Sequence, residues 1–273
     1  MKRILSVPGI LLAALPALAA AQSPADIVEQ MLDAYERNTA SVENYTVVQE
    51  VMGFESELYF EKEMREGRPV FQLRGSSSAG ISSEVEEDFG YSDVFAAGPE
   101  LAEHARYGGT ERVGGEEVHV LMIDDLAALD LVPETGPQDS EFEPRSGRIL
   151  VDTDLWVPRR MEFTGDLDTG NGPVEVTSVI DLEDYRDDQG LLMPYRTVVR
   201  MEGLGAAIDP EMRAEYEEMR RQLEGLPEGQ REMVEQMFRG QMEQMEALMG
   251  GEDGTMTVEM RVVELRVNQG PPN

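Results

Sequence analysis

Methionine is the chemically distinctive residue of this chain. There are 17, and seven of them fall between Met212 and Met249. A thioether on an unbranched stem adapts to irregular apolar shapes, so a methionine-rich face suits ligands of variable apolar form. The same sulfurs are soft donors for Cu(I), and Met233/Met237 and Met242/Met245 have helical spacings that bring each pair to one side. The plain alternative is a helical hairpin whose methionines pack against one another and against a sheet. Catalytic side chains are scarce by contrast. Cysteine is absent, which removes disulfides, thiolate nucleophiles and Cys-ligated metals. The two histidines are His104 and His119, and His119 alternates with Val118 and Val120, the position of a residue on a solvated strand face. No Gly-x-Ser-x-Gly, phosphate loop or His-Glu-x-x-His occurs. With 55 Asp and Glu residues, acidic pairs arise at every spacing by chance, and Asp152/Asp154 reads as a hairpin turn rather than a Ca²⁺ site. Trp156, the only tryptophan, stands between Leu155 and Val157 and is expected to be buried. The expectation is a binding protein rather than an enzyme, with no cofactor and no resident metal.

Charge and the N-terminus bound the setting. The formal net charge is −32, from 23 Lys and Arg against 55 Asp and Glu, so nucleic acid and anionic surfaces are repelled at long range. Residues 1–21 have the form of a secretory signal: Lys2 and Arg3, an apolar run over Ile4–Leu18, then Ala19–Ala21 as a small-residue exit. The run is short for a bilayer span and is interrupted by Pro8 and Pro16. Cleavage after Ala21 is expected to release an exported protein with no stable membrane insertion, its charge moving to −34 with the loss of Lys2 and Arg3. Residues 22–273 read as one domain.

Period-two alternation carries most of that domain. Arg148–Phe163, folded about Asp152-Thr153-Asp154, then Val174–Glu183 and Met193–Met201 alternate apolar with polar residues. Such segments form an antiparallel sheet with one solvated face. Tyr45–Phe54, Leu58–Met64, Pro69–Arg74 and Glu117–Ile123 add further strands. Gly75–Asp88 reads as a polar loop or weak edge strand, Pro99–Tyr107 as one or two helical turns, and Leu126–Gly147 as an acidic connection without period. Ser23-Pro24-Ala25-Asp26 opens an amphipathic helix with Ile27, Met31, Leu32 and Tyr35 on one side. Asp209–Gly250 reads as two helices broken at Gly225-Leu226-Pro227, inserted between sheet strands. In Thr255–Asn268, Met256, Val258, Met260 and Val262 share one parity, while Val263, Leu265 and Val267 take the other. A slip of one residue predicts a β-bulge at Val262–Val263.

Four segments in this order resemble the outer-membrane lipoprotein-sorting proteins, the LolA/LolB-like superfamily. They are the helix Ile27–Tyr35 leading to Glu43-Asn44-Tyr45, the pair around Arg112–Leu121, Ile149–Asp152 running to Leu155–Arg160, and Asp184–Asp187 leading to Gly190–Pro194. The resemblance implies an α+β fold: a strongly curved antiparallel sheet, an incomplete β-barrel, with helices over its concave face. It also implies a periplasmic carrier that shields the acyl chains of a lipid or lipoprotein, with an envelope membrane protein as a partner. The methionine-rich insertion departs from that family's pattern. Residues expected to line or cover an apolar ligand are Met31, Leu32, Tyr35, Met212, Met219, Met233 and Met237. Two other readings stay open: a methionine-rich periplasmic copper binder, and an envelope interaction or sensor module that holds no ligand.

Overall fold

The computed structural model describes residues 23–51, 53–65, 67–78, 93–129, 142–169, 172–208, 210–227, 229 and 254–271. The leader at 1–21 and the second half of the expected helical hairpin, with Met233 and Met237, lie outside these residues.

Ten strands form one antiparallel sheet. In chain order they are β1 (Asn44–Val51), β2 (Phe54–Arg65), β3 (Arg68–Ser78), β4 (Ala105–Val113), β5 (Glu116–Ile123), β6 (Phe142–Asp152), β7 (Pro158–Asp168), β8 (Pro173–Asp188), β9 (Leu191–Glu202) and β10 (Met256–Val267). Their order across the sheet is β3-β2-β1-β10-β9-β8-β7-β6-β5-β4. Described strands β3 and β4 are not paired with each other, so the sheet is an open, incomplete barrel. The last strand enters the middle, between β1 and β9, and joins the three N-terminal strands to the rest. The predicted bulge is present: Val48 faces Glu264 and Gln49 faces Val262, leaving Val263 without a register partner on β1. Val263 is therefore turned out, 51% exposed, while Leu265 and Val267 return to the core. β6 begins inside the stretch read as structureless, because Glu, Pro, Arg and Ser mask its alternation.

Three helices pack on one face of the sheet, the inner face. Helix α1 (Pro24–Thr39) starts with a reciprocal cap: Ser23 Oγ accepts from the Asp26 N–H at 3.1 Å, and the Asp26 carboxylate accepts from the Ser23 N–H at 3.1 Å. Its apolar side meets α2 (Asp93–Ala96) and α3 (Gly98–His104), with Tyr35 stacked on Phe95 at 4.0 Å between ring centroids. Around them gather Tyr45, Val47, Leu121, Ile149, Met161, Phe163, Ile180, Leu182, Met193, Tyr195, Leu265 and Val267 in one core. A further helix, α4 (Pro210–Glu224), follows β9 through a 3₁₀ turn at Leu204–Ala207.

The outer face is stitched by charge. Arg160 and Arg200 reach the buried Asp181 at 2.6 and 2.7 Å, Arg148 bonds Glu162 and Glu111, and Arg266 bonds Glu57 and Glu264. One exception is a small apolar cluster of Val118, Val120 and Leu150 on this face. It inverts the expected orientation of β5: His119 points inward, 6% exposed, because both faces of the sheet are apolar at that corner.

Candidate functional site

Strand register places each side chain on the inner face, and burial then divides that face in two. Along β1, inner residues Tyr45 and Val47 are buried beneath the helices, whereas Val51 is half-buried. Its partner across the tight turn, Phe54, is 52% exposed. Along β10 the buried Val267 and Leu265 give way to half-buried Val262, Met260, Val258 and Met256. On β9, buried Met193 and Tyr195 are followed by half-buried Val199 and Met201. The pairings Val258–Val199, Met256–Met201 and Met260–Val51 place these residues side by side. Leu58, opposite Val47, extends the row onto β2.

The result is a mainly apolar trough on β2, β1, β10 and β9, roughly 20 Å long by strand rise, with Gln49, Ser56 and Thr197 as the polar residues on the same face. It lies beyond the part of the inner face that α1–α3 fill. Contiguous accessible apolar surface of this kind marks a binding surface more often than chance exposure. The period-two run Met256–Val262 signalled the apolar face. That helices α1–α3 stop short of it was decided by tertiary packing.

On the opposite, outer face of these strand ends, Glu50 and Glu55 face one another across β1 and β2, Glu202 follows Met201 on β9, and Glu175 follows Val174 on β8; all four are exposed. A shallow groove of about 460 Å³ lies where the chain leaves β9 beside the start of β8, lined by Pro173, Val174, Glu175, Thr177, Glu202, Gly203 and Ala206. Gly203 has φ 88°, and a Cβ there would stand 2.5 Å from the Glu175 carbonyl oxygen, so the chain leaving β9 passes tightly over β8.

The residues expected at the site are distributed differently. Met31, Leu32 and Tyr35 are at most 6% exposed, enclosed between α1, its neighbouring helices and the sheet. Met219 on α4 is 43% exposed, and only the backbone of Met212 is described. Among the described residues of α4, Tyr216 and Leu223 are half-buried, while Ala214, Glu217, Glu218 and Arg220 face solvent.

The β6–β7 turn holds the buried polar groups. Asp152 accepts from the N–H groups of Asp154 and Leu155 and from Arg159 Nε at 2.7–2.8 Å, which makes it the organiser of the turn. Burial is the largest influence on its carboxyl and pushes upward, but the Leu155 N–H, Arg159 and the Asp154 N–H together outweigh it and hold the pKa below the ordinary value. Trp156, at φ +56°, is half-buried rather than enclosed, and stacks on His119 at 5.3 Å. Burial lowers the His119 pKa, with Glu117 opposing. Tyr107 Oη lies 3.4 Å from its Nδ1. Among the described residues, no group of three or more His, Asp or Glu side chains is placed to hold a metal ion.

The fold is thus an incomplete antiparallel barrel with an N-terminal helix against its inner face. No protein-family model matches the chain, and no curated protein does. Solved structures do. The chain is similar to a DUF1329 family protein from Desulfovibrio piger, at 12% identity over 92% of this chain and 96% of that one, TM-score 0.38. It is also similar to a putative outer membrane lipoprotein-sorting protein domain from Vibrio parahaemolyticus, at 11% identity over 90% and 95%, TM-score 0.37. A LolA superfamily protein from Nitrosomonas europaea is similar at 9% identity over 89% and 94%, TM-score 0.32.

Proposed function

We propose that this protein is a non-catalytic periplasmic carrier that holds the acyl chain of a lipid or lipoprotein in the inner-face trough. The observation that carries the reading is the row Val51, Phe54, Leu58, Val199, Met201, Met256, Val258 and Met260, apolar side chains half-buried or exposed beside a filled core, with Gln49, Ser56 and Thr197 interspersed on the same face. Apolar burial would drive binding at about 0.8 kcal/mol per methylene before ordering costs. A flat-walled trough with methionine and valine side chains fixes few polar contacts, which suits chains of varied length. Export agrees with the leader-like residues 1–21, and no described helix is long and apolar enough to cross a membrane. The sequence motifs that resemble lipoprotein-sorting proteins also fall at structural junctions: Arg112–Leu121 spans the β4–β5 hairpin, Ile149–Arg160 the β6–β7 hairpin, and Asp184–Pro194 the β8–β9 hairpin.

Native mass spectrometry of the protein purified from the periplasm tests the proposal. The expected result is a co-purifying acyl-containing mass, lost in Val258→Glu and Met260→Glu variants whose circular dichroism remains that of the parent. Each variant should weaken uptake of an added acyl probe by roughly tenfold or more, since a charge is placed against hydrocarbon. A bare polypeptide that also takes up no added probe would remove the carrier reading.

A further inference from the structure

We infer that the trough is a site of methionine oxidation, at which a hydroperoxide converts it from an acyl-binding to a non-binding surface. This rests on the carrier reading above and adds a means of release. Strand register puts Met201 and Met256 directly opposite one another on β9 and β10, with Met260 further along β10 opposite Val51. All three lie on the inner face and are half-buried, beyond the part that α1–α3 fill. The methionines of the filled half are shut away, Met31 on α1 and Met161 on β7 being at most 2% exposed. The chain has no cysteine, so no thiol competes with these thioethers for an oxidant. The step is a two-electron oxygen transfer. The O–O bond of the hydroperoxide breaks, an S=O bond forms at the thioether, sulfur is oxidised, and the peroxide leaves reduced to water or an alcohol. A thiol-dependent reductase reverses the step, the oxygen leaving as water while two thiols close to a disulfide. A sulfoxide turns a flexible apolar side chain into a polar hydrogen-bond acceptor. Across the Met201–Met256 pair, two such oxygens would be stripped of water beside hydrocarbon on binding, a cost that the thioethers do not carry. The converse also holds: a chain lying in the trough covers the same sulfurs and slows their oxidation.

The test treats the purified protein with hydrogen peroxide, maps oxygen uptake by peptide mass, and titrates dodecyl maltoside calorimetrically below its micelle-forming concentration. That probe has one acyl-length chain and no charge, so the acidity of the protein does not enter. Met201, Met256 and Met260 should gain oxygen well before Met31 and Met161. Saturating probe should slow all three, while Met64, 64% exposed near the other end of β2, reacts as before. Affinity for the probe should fall roughly tenfold with circular dichroism unchanged, and recover after treatment with a methionine sulfoxide reductase. Variants separate the other methionines, each compared with itself before and after peroxide. The ratio of the two affinities should be near unity in the triple variant Met201→Leu, Met256→Leu and Met260→Leu, whatever its starting affinity. It should stay roughly tenfold in the double variant Met64→Leu and Met219→Leu. A fall that persists in the triple variant, or that comes with loss of the circular dichroism of the sheet, would overturn the inference. Unchanged affinity in an oxidised parent would overturn it too and leave the carrier reading standing. Absence of probe binding by the untreated protein would overturn both.

Discussion

His119 and Asp152 lie on neighbouring strands, β5 and β6, and respond to pH in different windows. The imidazole is buried against Trp156 with its folded pKa below the free value of 6.5. The unfolded chain therefore binds a proton more readily than the folded one, so His119 contributes stability that is complete above pH 6.5 and is lost as pH falls through that value. Denaturant titrations between pH 7.5 and 5 should show this loss, and a His119→Gln variant should flatten that part of the profile. Superimposable profiles would mean that the ring does not titrate on unfolding. Asp152 acts lower. Its folded carboxyl lies below 3.8, so the stability from its three hydrogen bonds persists above that value and disappears as pH falls through the folded pKa. Asp152→Asn should lose the component below pH 4 while keeping the histidine component. Neither environment is visible in sequence: the alternation Val118-His119-Val120 has the same form whichever face is buried.

At the scale of elements, close approach adds to the few polar ties between helix and sheet, such as Lys62 Nζ donating to the Thr39 carbonyl at the end of α1. Gly147 on β6 is the clearest case of close approach. A Cβ there would lie 2.6 Å from a Leu126 methyl carbon and 2.9 Å from the Glu162 carbonyl oxygen on β7. Leu126 belongs to the 3₁₀ turn after β5, which folds over the inner face at that point. Because one of the two obstacles is backbone within a paired strand, Gly147→Ala should destabilise by about 2 kcal/mol. Chemical denaturation would measure it, and a change below a few tenths of that would show that the turn is free to lift. The β10 bulge is a second such device. By adding one residue at Val263 it keeps Val262 and Leu265 both on the inner face, so the apolar row continues from the filled half into the open trough.

For the molecule as a whole, charge opposes compactness. A formal net charge of −32 on 273 residues is self-repulsive, and many of the positive charges of the described chain are spent on the outer-face ion pairs. Screening should therefore stabilise the protein: raising NaCl from 20 to 300 mM is expected to lift Tm by roughly 3 °C, equivalent to about 1 kcal/mol. A fall in Tm would show that the outer-face pairs outweigh the repulsion. In the sheet, β1–β3 and β4–β9 are joined through β10, the last strand in chain order among the described residues. Closure of the core thus requires a contact between residues about 220 apart, Tyr45 with Val267, which predisposes this fold to slow assembly.

The sequence by itself determined most of the strands, though not β4 or the start of β6, together with the N-terminal helix and its cap, the turn at Asp152–Asp154 and the bulge, because each follows from local periodicity or from hydrogen bonds within a few residues. It also determined that Met256, Val258, Met260 and Val262 share a face. Strand order, the inward position of His119 and the fate of each apolar face were decided only by tertiary structure. Met31, Leu32 and Tyr35 have the same amphipathic signature whether they meet a ligand or a core, and it is the packing of α1 against α2, α3 and the sheet that encloses them. Val258 and Met260 carry no stronger signal than Leu265 and Val267 one turn of the strand away. What separates them is where helices α1–α3 end, a property of distant residues that no window along the strand contains.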